Sequence, residues 1–167
     1  MLAGRRMGRD EALAVLGSTD DELLPLLCAA FMVRRARFGM RVSLHVIRNA
    51  RSGGCEEDCA YCSQAAGSRA GVEAYPLQPA DQLVEGARHA HAVGAIRYCI
   101  VTSGRSAAPA DLASLCEAVR RIKREIPLQV CVSLGLLGEA EARQLKAAGV
   151  DRYNHNLETS ARFFPSP

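Results

Sequence analysis

The strongest constraint on this chain is a rhythm of strand-like and helix-like segments. Arg41 to Arg48 reads as a first strand, with Val42, Leu44 and Val46 alternating with Ser43, His45 and Ile47. Pro79 to Val93 carries helical spacing, with a proline in the first turn and Gly94 past the end. Ala95 to Thr102 reads as a second strand, apolar enough to be buried on both faces. Pro109 to Ile126 is a second helix and Leu128 to Leu134 a third strand. Glu139 to Ala148 is a third helix, closed by Gly149, and Asp151 to Leu157 a fourth strand. Such an order, repeating at roughly 20–35 residues, predicts parallel strands joined by right-handed crossovers. Four βα steps make half of an eight-stranded barrel. The expected fold class is therefore α/β: a (β/α) TIM-type barrel, present as its first four βα units.

A helical segment precedes the strands, so the expected organisation is a 1–40 N-terminal helical extension and a 41–167 partial barrel. Asp10 caps a short helix that Gly17 ends. Thr19 followed by Glu22 is a capping box. An apolar pattern then runs through Leu23, Leu26, Leu27, Ala30, Phe31 and Val33, and Cys28 on it is expected to be a buried, inert thiol. Arg34, Arg35 and Arg37 fall in the last turn, where cations suit the helix dipole and need no external partner. A formal net charge of +3 over 167 residues is too small to imply nucleic-acid binding. No apolar run approaches the ~20 residues of a membrane helix. Met1 to Arg9 has no apolar core of a secretory signal, and Phe163 to Pro167 reads as a cut end. A reducing, cytoplasmic setting is expected for the seven cysteines.

Three of those cysteines share one short loop after the first strand: Gly54-Cys55-Glu56-Glu57-Asp58-Cys59-Ala60-Tyr61-Cys62-Ser63-Gln64. The spacing is C-x3-C-x2-C. Barrel enzymes place their chemistry at this end of the strands. Thiolates hold iron–sulfur clusters, and a four-iron cubane on three of them keeps one iron open to a small molecule. Structural zinc prefers four tetrahedral ligands in two close pairs; the one nearby histidine is His45, and no second C-x2-C pair exists. A cluster, a zinc ion and inert thiols all remain open from spacing alone. His89 and His91 lie two apart on a helix, facing different ways, and read as surface residues.

The cysteine loop resembles the signature loop of radical S-adenosylmethionine enzymes. With Ser52-Gly53-Gly54 before it, Ser63-Gln64 after it, and Tyr153-Asn154-His155-Asn156-Leu157-Glu158-Thr159-Ser160 near the end, the chain is similar to the biotin synthase family from about Asp10 onward. That resemblance implies a [4Fe–4S] cluster on Cys55, Cys59 and Cys62, with S-adenosyl-L-methionine at its open iron. It implies a sulfurtransferase that converts dethiobiotin to biotin through a 5′-deoxyadenosyl radical. Tyr61 resembles the aromatic beside the adenine, Arg97 an inward arginine near the cofactor carboxylate, and Asn156 and Glu158 the pair that binds the ribose. Asn154 would support that layer. Cys99 and Cys131 match two of the ligands of a second, [2Fe–2S] cluster. Its remaining cysteine and arginine have no counterpart up to Pro167, so that ligand set is incomplete. Without the resemblance, Cys99 and Cys131 read as small buried hydrophobes, and Cys116 reads as packing in either case.

The same resemblance implies an external electron donor such as flavodoxin or ferredoxin and leaves room for a homodimer. Little or no turnover is expected of this chain alone. A different radical enzyme, of the hydrogenase-maturation or thiazole-pathway type, would share the three-cysteine loop but not the Asn-His-Asn-Leu-Glu-Thr-Ser run. A non-catalytic metal-binding fragment is the remaining reading.

Overall fold

The computed structural model describes residues 4–156 together with Ser160 and Arg162. The chain divides into two compact units, Met1–Val42 and Ser43–Pro167. The first holds α1 (Arg9–Leu16) and α2 (Asp20–Phe38). The capping box forms as the sequence requires. The Thr19 amide donates to Glu22 Oε2 at 2.9 Å, and the Thr19 hydroxyl donates to the same atom at 3.1 Å. Those two donors hold the Glu22 carboxyl below its ordinary pKa. Pro25 lies inside α2, close enough to its start that the helix continues. Neither helix buries a residue among those described. Cys28 is exposed rather than buried, and so are Leu24, Leu27 and Phe31. The apolar spacing that predicted a packed face marks an open one here.

The second unit is a four-stranded sheet of β1 (His45–Arg51), β2 (Arg97–Thr102), β3 (Gln129–Ser133) and β4 (Arg152–Tyr153). The strands lie in sequence order and every pairing is parallel. Between them run α3 (Ala80–Ala92), α4 (Pro109–Glu125) and α5 (Glu139–Ala148). Parallel neighbours need a crossover of a dozen residues or more, which these helices provide. Pro109 opens α4 at a position whose N–H would be unbonded anyway. Gly149 ends α5 in a left-handed conformation, φ +102°, that suits glycine.

Three helices cover one face of the sheet. Leu83, Val84, Ala87 and Ala90 of α3 meet Leu112, Leu115, Val119 and Ile122 of α4 over Ala50, Tyr98, Ile100, Val130 and Val132. Cys116 is buried among them, as its helical position predicts, and burial pushes its thiol pKa up. The opposite face carries none of these three helices and is partly covered, with Cys131 on it buried. Its residues follow from the register: His45, Arg97 and Gln129 form one cross-strand row, and Ile47, Cys99, Cys131 and Arg152 the next. Asn49, Val101 and Ser133 form a third row.

The sequence predicted β2 as buried on both sides. Instead it alternates, with Tyr98, Ile100 and Thr102 buried and Arg97, Cys99 and Val101 only partly covered, because helices pack on one side alone. The first strand is also displaced from its expected span. It pairs from His45 to Arg51, and Val42 and Leu44 are exposed before it. Its end, Asn49-Ala50-Arg51, belongs to a stretch that reads as turn-rich in sequence, Asn49 to Gly54. It continues as strand because Arg48 Nε donates to Gln78 Oε1 at 2.7 Å and Arg51 Nη1 to Asp111 Oδ2 at 2.8 Å. Between Asn49 and Arg51 the register slips, a β-bulge that sets Arg51 opposite Thr102.

Candidate functional site

The cysteine loop leaves the C-terminal end of β1 and has no regular secondary structure until α3. Cys55, Cys59 and Cys62 are half-buried thiols, and none of the chain's seven cysteines is in a disulfide. Local turns shape the loop. The Cys62 amide donates to the Cys59 carbonyl at 2.9 Å, and the Ala65 amide to the Cys62 carbonyl at 3.2 Å. The Ala66 amide returns to the Glu57 carbonyl at 2.9 Å, and Arg105 Nη1 pairs with Glu57 Oε1 at 2.8 Å. Tyr61 projects outward and is 64% exposed. A cavity of about 610 Å³ opens beside the loop, lined by Arg51, Gly53, Gly54, Glu56, Tyr75 and Arg105.

The strand residues divide between two levels of the open face. Arg97 starts β2, five residues before Thr102, or about 16 Å at ~3.3 Å per residue. It thus stands at the end of the sheet away from the cysteine loop. There Arg97 Nη2 and Nε donate to Gln129 Oε1 at 2.9 and 3.2 Å, and Nη1 lies 3.5 Å from His45 Nδ1. One row above, Cys99 and Cys131 are direct cross-strand partners. Burial and a contact from Cys131 push the Cys99 thiol up from its ordinary pKa. Arg152 sits beside Cys131 in the same row, although sequence reasoning gave it no role. Asn154, whose amide donates to the Val132 carbonyl at 2.8 Å, continues the face toward the loop end, followed by Asn156; both are exposed. Glu158 lies outside the described residues.

Among the described residues no three His, Cys, Asp or Glu side chains stand close enough to ligate a single ion. Cubane thiolates each bind a different iron, and three of them on one loop are enough in number to hold a four-iron cluster. An orphaned atom supports a ligand here as well. Asn49 Oδ1, on the open face just before the loop, is buried and has no partner among the described residues. The donor set therefore fits an iron–sulfur cluster at the loop with a polar molecule beside it.

Residues 50–164 match the model of the radical SAM superfamily. The chain belongs to this superfamily. Among curated proteins, this radical SAM chain is 49% identical over 162 residues to the biotin synthase of Halalkalibacterium halodurans, covering 97% of this chain and 49% of that one. It is 51% identical over 164 residues to that of Salinibacter ruber, covering 98% and 46%. Against the Bacillus subtilis biotin synthase it is 44% identical over 162 residues, covering 97% and 48%. The chain spans about half the length of the curated relatives it matches. A solved methylornithine synthase superposes with a TM-score of 0.74 at 21% identity, over 91% of this chain and 44% of that one. The [FeFe]-hydrogenase maturase of Carboxydothermus hydrogenoformans superposes with a TM-score of 0.70 at 22% identity, over 90% and 35%. Both likenesses concern the fold alone.

Sequence reasoning missed the residues that brace the loop. Arg51 Nε donates to the Ser103 carbonyl at 2.9 Å and its Nη2 makes a second bond there. The Ser103 hydroxyl donates to the Gly53 carbonyl at 2.6 Å, and the Gly53 amide donates to Gln64 Oε1 at 2.9 Å. Gln64 stands in the run after the third cysteine that carries the resemblance, but no short motif marks Arg51 or Ser103. The one other signal was the Gly53-Gly54 pair just before the first cysteine.

Proposed function

We propose that this chain is the part of a biotin-synthase-type radical enzyme that holds the reactive cluster, built as half of a (β/α) barrel. The observation that carries the reading is a three-thiol loop at the C-terminal end of β1, in a chain 49% identical over nearly its whole length to a biotin synthase. Cys55, Cys59 and Cys62 would hold the [4Fe–4S] cluster. When bound, that cluster and S-adenosyl-L-methionine supply the one-electron chemistry that breaks an unactivated C–H bond, which no side chain could do as a base.

The chain's own residues hold and orient. Asn156, which continues the strand face toward the loop, would offer its amide to the sugar of the cofactor with Glu158 as its partner, and Asn154 would support that layer. Tyr61 would lie against its base. Cys99 and Cys131, side by side in one row, would supply two thiolates to a [2Fe–2S] cluster, the sulfur source for dethiobiotin. Arg97, one row below Cys99, would then stand closer to that second cluster than to the loop. An external reductant, of the flavodoxin or ferredoxin kind, completes the set.

The test is anaerobic reconstitution with iron and sulfide. About four irons per chain, a visible cluster band and an electron paramagnetic resonance signal altered by S-adenosyl-L-methionine are expected. Bound zinc with no colour would overturn the reading. Biotin formation from dethiobiotin is expected to be absent or below one turnover, since half of the relatives' length is not represented.

A further inference from the structure

The loop between β1 and α3 is long and irregular, yet the two ends of its cysteine segment meet at one residue, Gly53. The Gly53 amide donates to Gln64 Oε1, two residues past Cys62, at 2.9 Å. The Gly53 carbonyl accepts from the Ser103 hydroxyl at 2.6 Å. Ser103 is itself nearly buried and doubly fixed, for its amide donates to the Arg51 carbonyl at 3.0 Å and its own carbonyl accepts two bonds from the Arg51 guanidinium. That guanidinium is anchored to Asp111 of α4 at 2.8 Å. Gly53 has φ +72°, and a Cβ there would lie 2.6 Å from Ala74 Cβ, so no other residue would leave this junction undisturbed.

We propose that Gln64 and Ser103 are positioning residues: a clasp that closes the three-thiol loop onto the ends of β1 and β2 before any metal arrives. The inference rests on the reading of Cys55, Cys59 and Cys62 as cluster ligands, but the clasp itself needs no metal. Its physical role is entropic. Three thiolates on a floating loop would have to be collected when the cluster binds, and every ordered residue opposes that binding. Closing the segment from Gly53 to Gln64 in advance moves that cost into folding. Arg51 acts one step further back, through Ser103. Glu57 adds a second tie within the same segment, by its pair with Arg105 and by its carbonyl bond from Ala66. That ion pair is well exposed and is a weaker fastening than the half-buried Arg51 network.

Two measurements separate the clasp from the function. In the metal-free chain, hydrogen exchange is followed at the amides of Gly53, Cys62, Ala65 and Ala66. Gln64→Leu and Ser103→Ala should each speed exchange there by about tenfold or more, with exchange in α4 unchanged, as expected of local opening. Gln64→Glu keeps the acceptor oxygen and should restore the parent rate. Arg88→Ala, which breaks an exposed pair with Glu125 between helices, should alter neither. Upon reconstitution, Gln64→Leu should bind severalfold less iron than the parent and give a broadened resonance signal, with Gln64→Glu again like the parent. If Ser103→Ala unfolds, the leucine variant still decides, since Gln64 is a half-buried loop residue and not a member of the core cluster. Exchange within twofold of the parent in the leucine variant would overturn the clasp. A parent chain that binds no iron while Gln64→Leu still loosens the loop would overturn the cluster reading and leave the clasp standing.

Discussion

The two groups of cysteines are positioned by different physics. Cys99 and Cys131 are placed by the sheet: parallel pairing makes them neighbours, and alternation sends both to the open face. Cys55, Cys59 and Cys62 have no ladder beneath them. Turns, an ion pair and side-chain bonds to Gly53 hold them instead. A strand delivers its side chains wherever the core delivers the strand, so the pair is as firm as the hydrophobic layer behind it. A loop is only as firm as its few polar ties, so the trio can adapt to what it binds.

Substitution of each group tests this division most severely. Cys55→Ser, Cys59→Ser and Cys62→Ser together should lower reconstituted iron by more than about tenfold, given that thiolates are the cluster's ligands. Cys99→Ser with Cys131→Ser should leave the loop cluster's resonance signal in place. Next, Ile100→Ala removes fully buried contacts directly beneath the strand pair. It should cost about 2–5 kcal/mol in urea unfolding and raise the reactivity of Cys99 and Cys131 toward a thiol reagent, with the loop thiols less affected.

Asp151 gives a smaller effect with a defined pH dependence. Burial raises its carboxyl pKa, but the Val130 amide at 2.7 Å and Lys123 Nζ at 2.9 Å outweigh that and hold it below the ordinary value. A depressed carboxyl stabilises the fold above its unfolded pKa, near 3.9, and that contribution fades as pH falls through the folded value. Asp151→Ala, which strips a bond from the strand of Cys131, should cost about 1–3 kcal/mol at neutral pH. The gap between variant and parent should shrink below about pH 4 in acid-unfolding curves. Smallest is Tyr98→Phe. The Tyr98 hydroxyl is buried without a partner among the described residues, and burial pushes its pKa up to about 12. Removing it should raise stability by up to about 1 kcal/mol, seen as a modestly higher midpoint. A loss of stability instead would mean that the strand under Cys99 relies on that oxygen.

The strand pair was far more legible in the sequence than the loop's fastening. Period-two alternation in Arg97-Tyr98-Cys99 and Cys131-Val132-Ser133 assigns faces before any pairing is known, and the order of elements assigns the neighbours. The three helices of the second unit fell within a residue or two of their expected spans, since Pro109, Gly94 and Gly149 punctuate them. The span of β1 differs at its end because Asn49 and Arg51 look turn-like and solvent-bound until Asp111 is brought to Arg51. The exposure of Cys28 was equally hidden, because an apolar stripe shows what a helix could bury but not whether anything meets it. Gln64 and Ser103 lie 39 positions apart, and only folding makes them touch the same residue.

The slip of register between Asn49 and Arg51 has a consequence for how this protein tolerates change. Strict alternation would aim Arg51 at the open face, alongside Asn49. The extra residue turns the guanidinium through the plane of the sheet, to the helices, where it meets Asp111. Ala50 is the residue left over in that slip, and Arg51, the last residue of β1, is tied down on the helix side. Pairing without that slip would swing the arginine among the groups of the opposite face and slacken Ser103, so the irregularity of this strand is constrained as tightly as its composition.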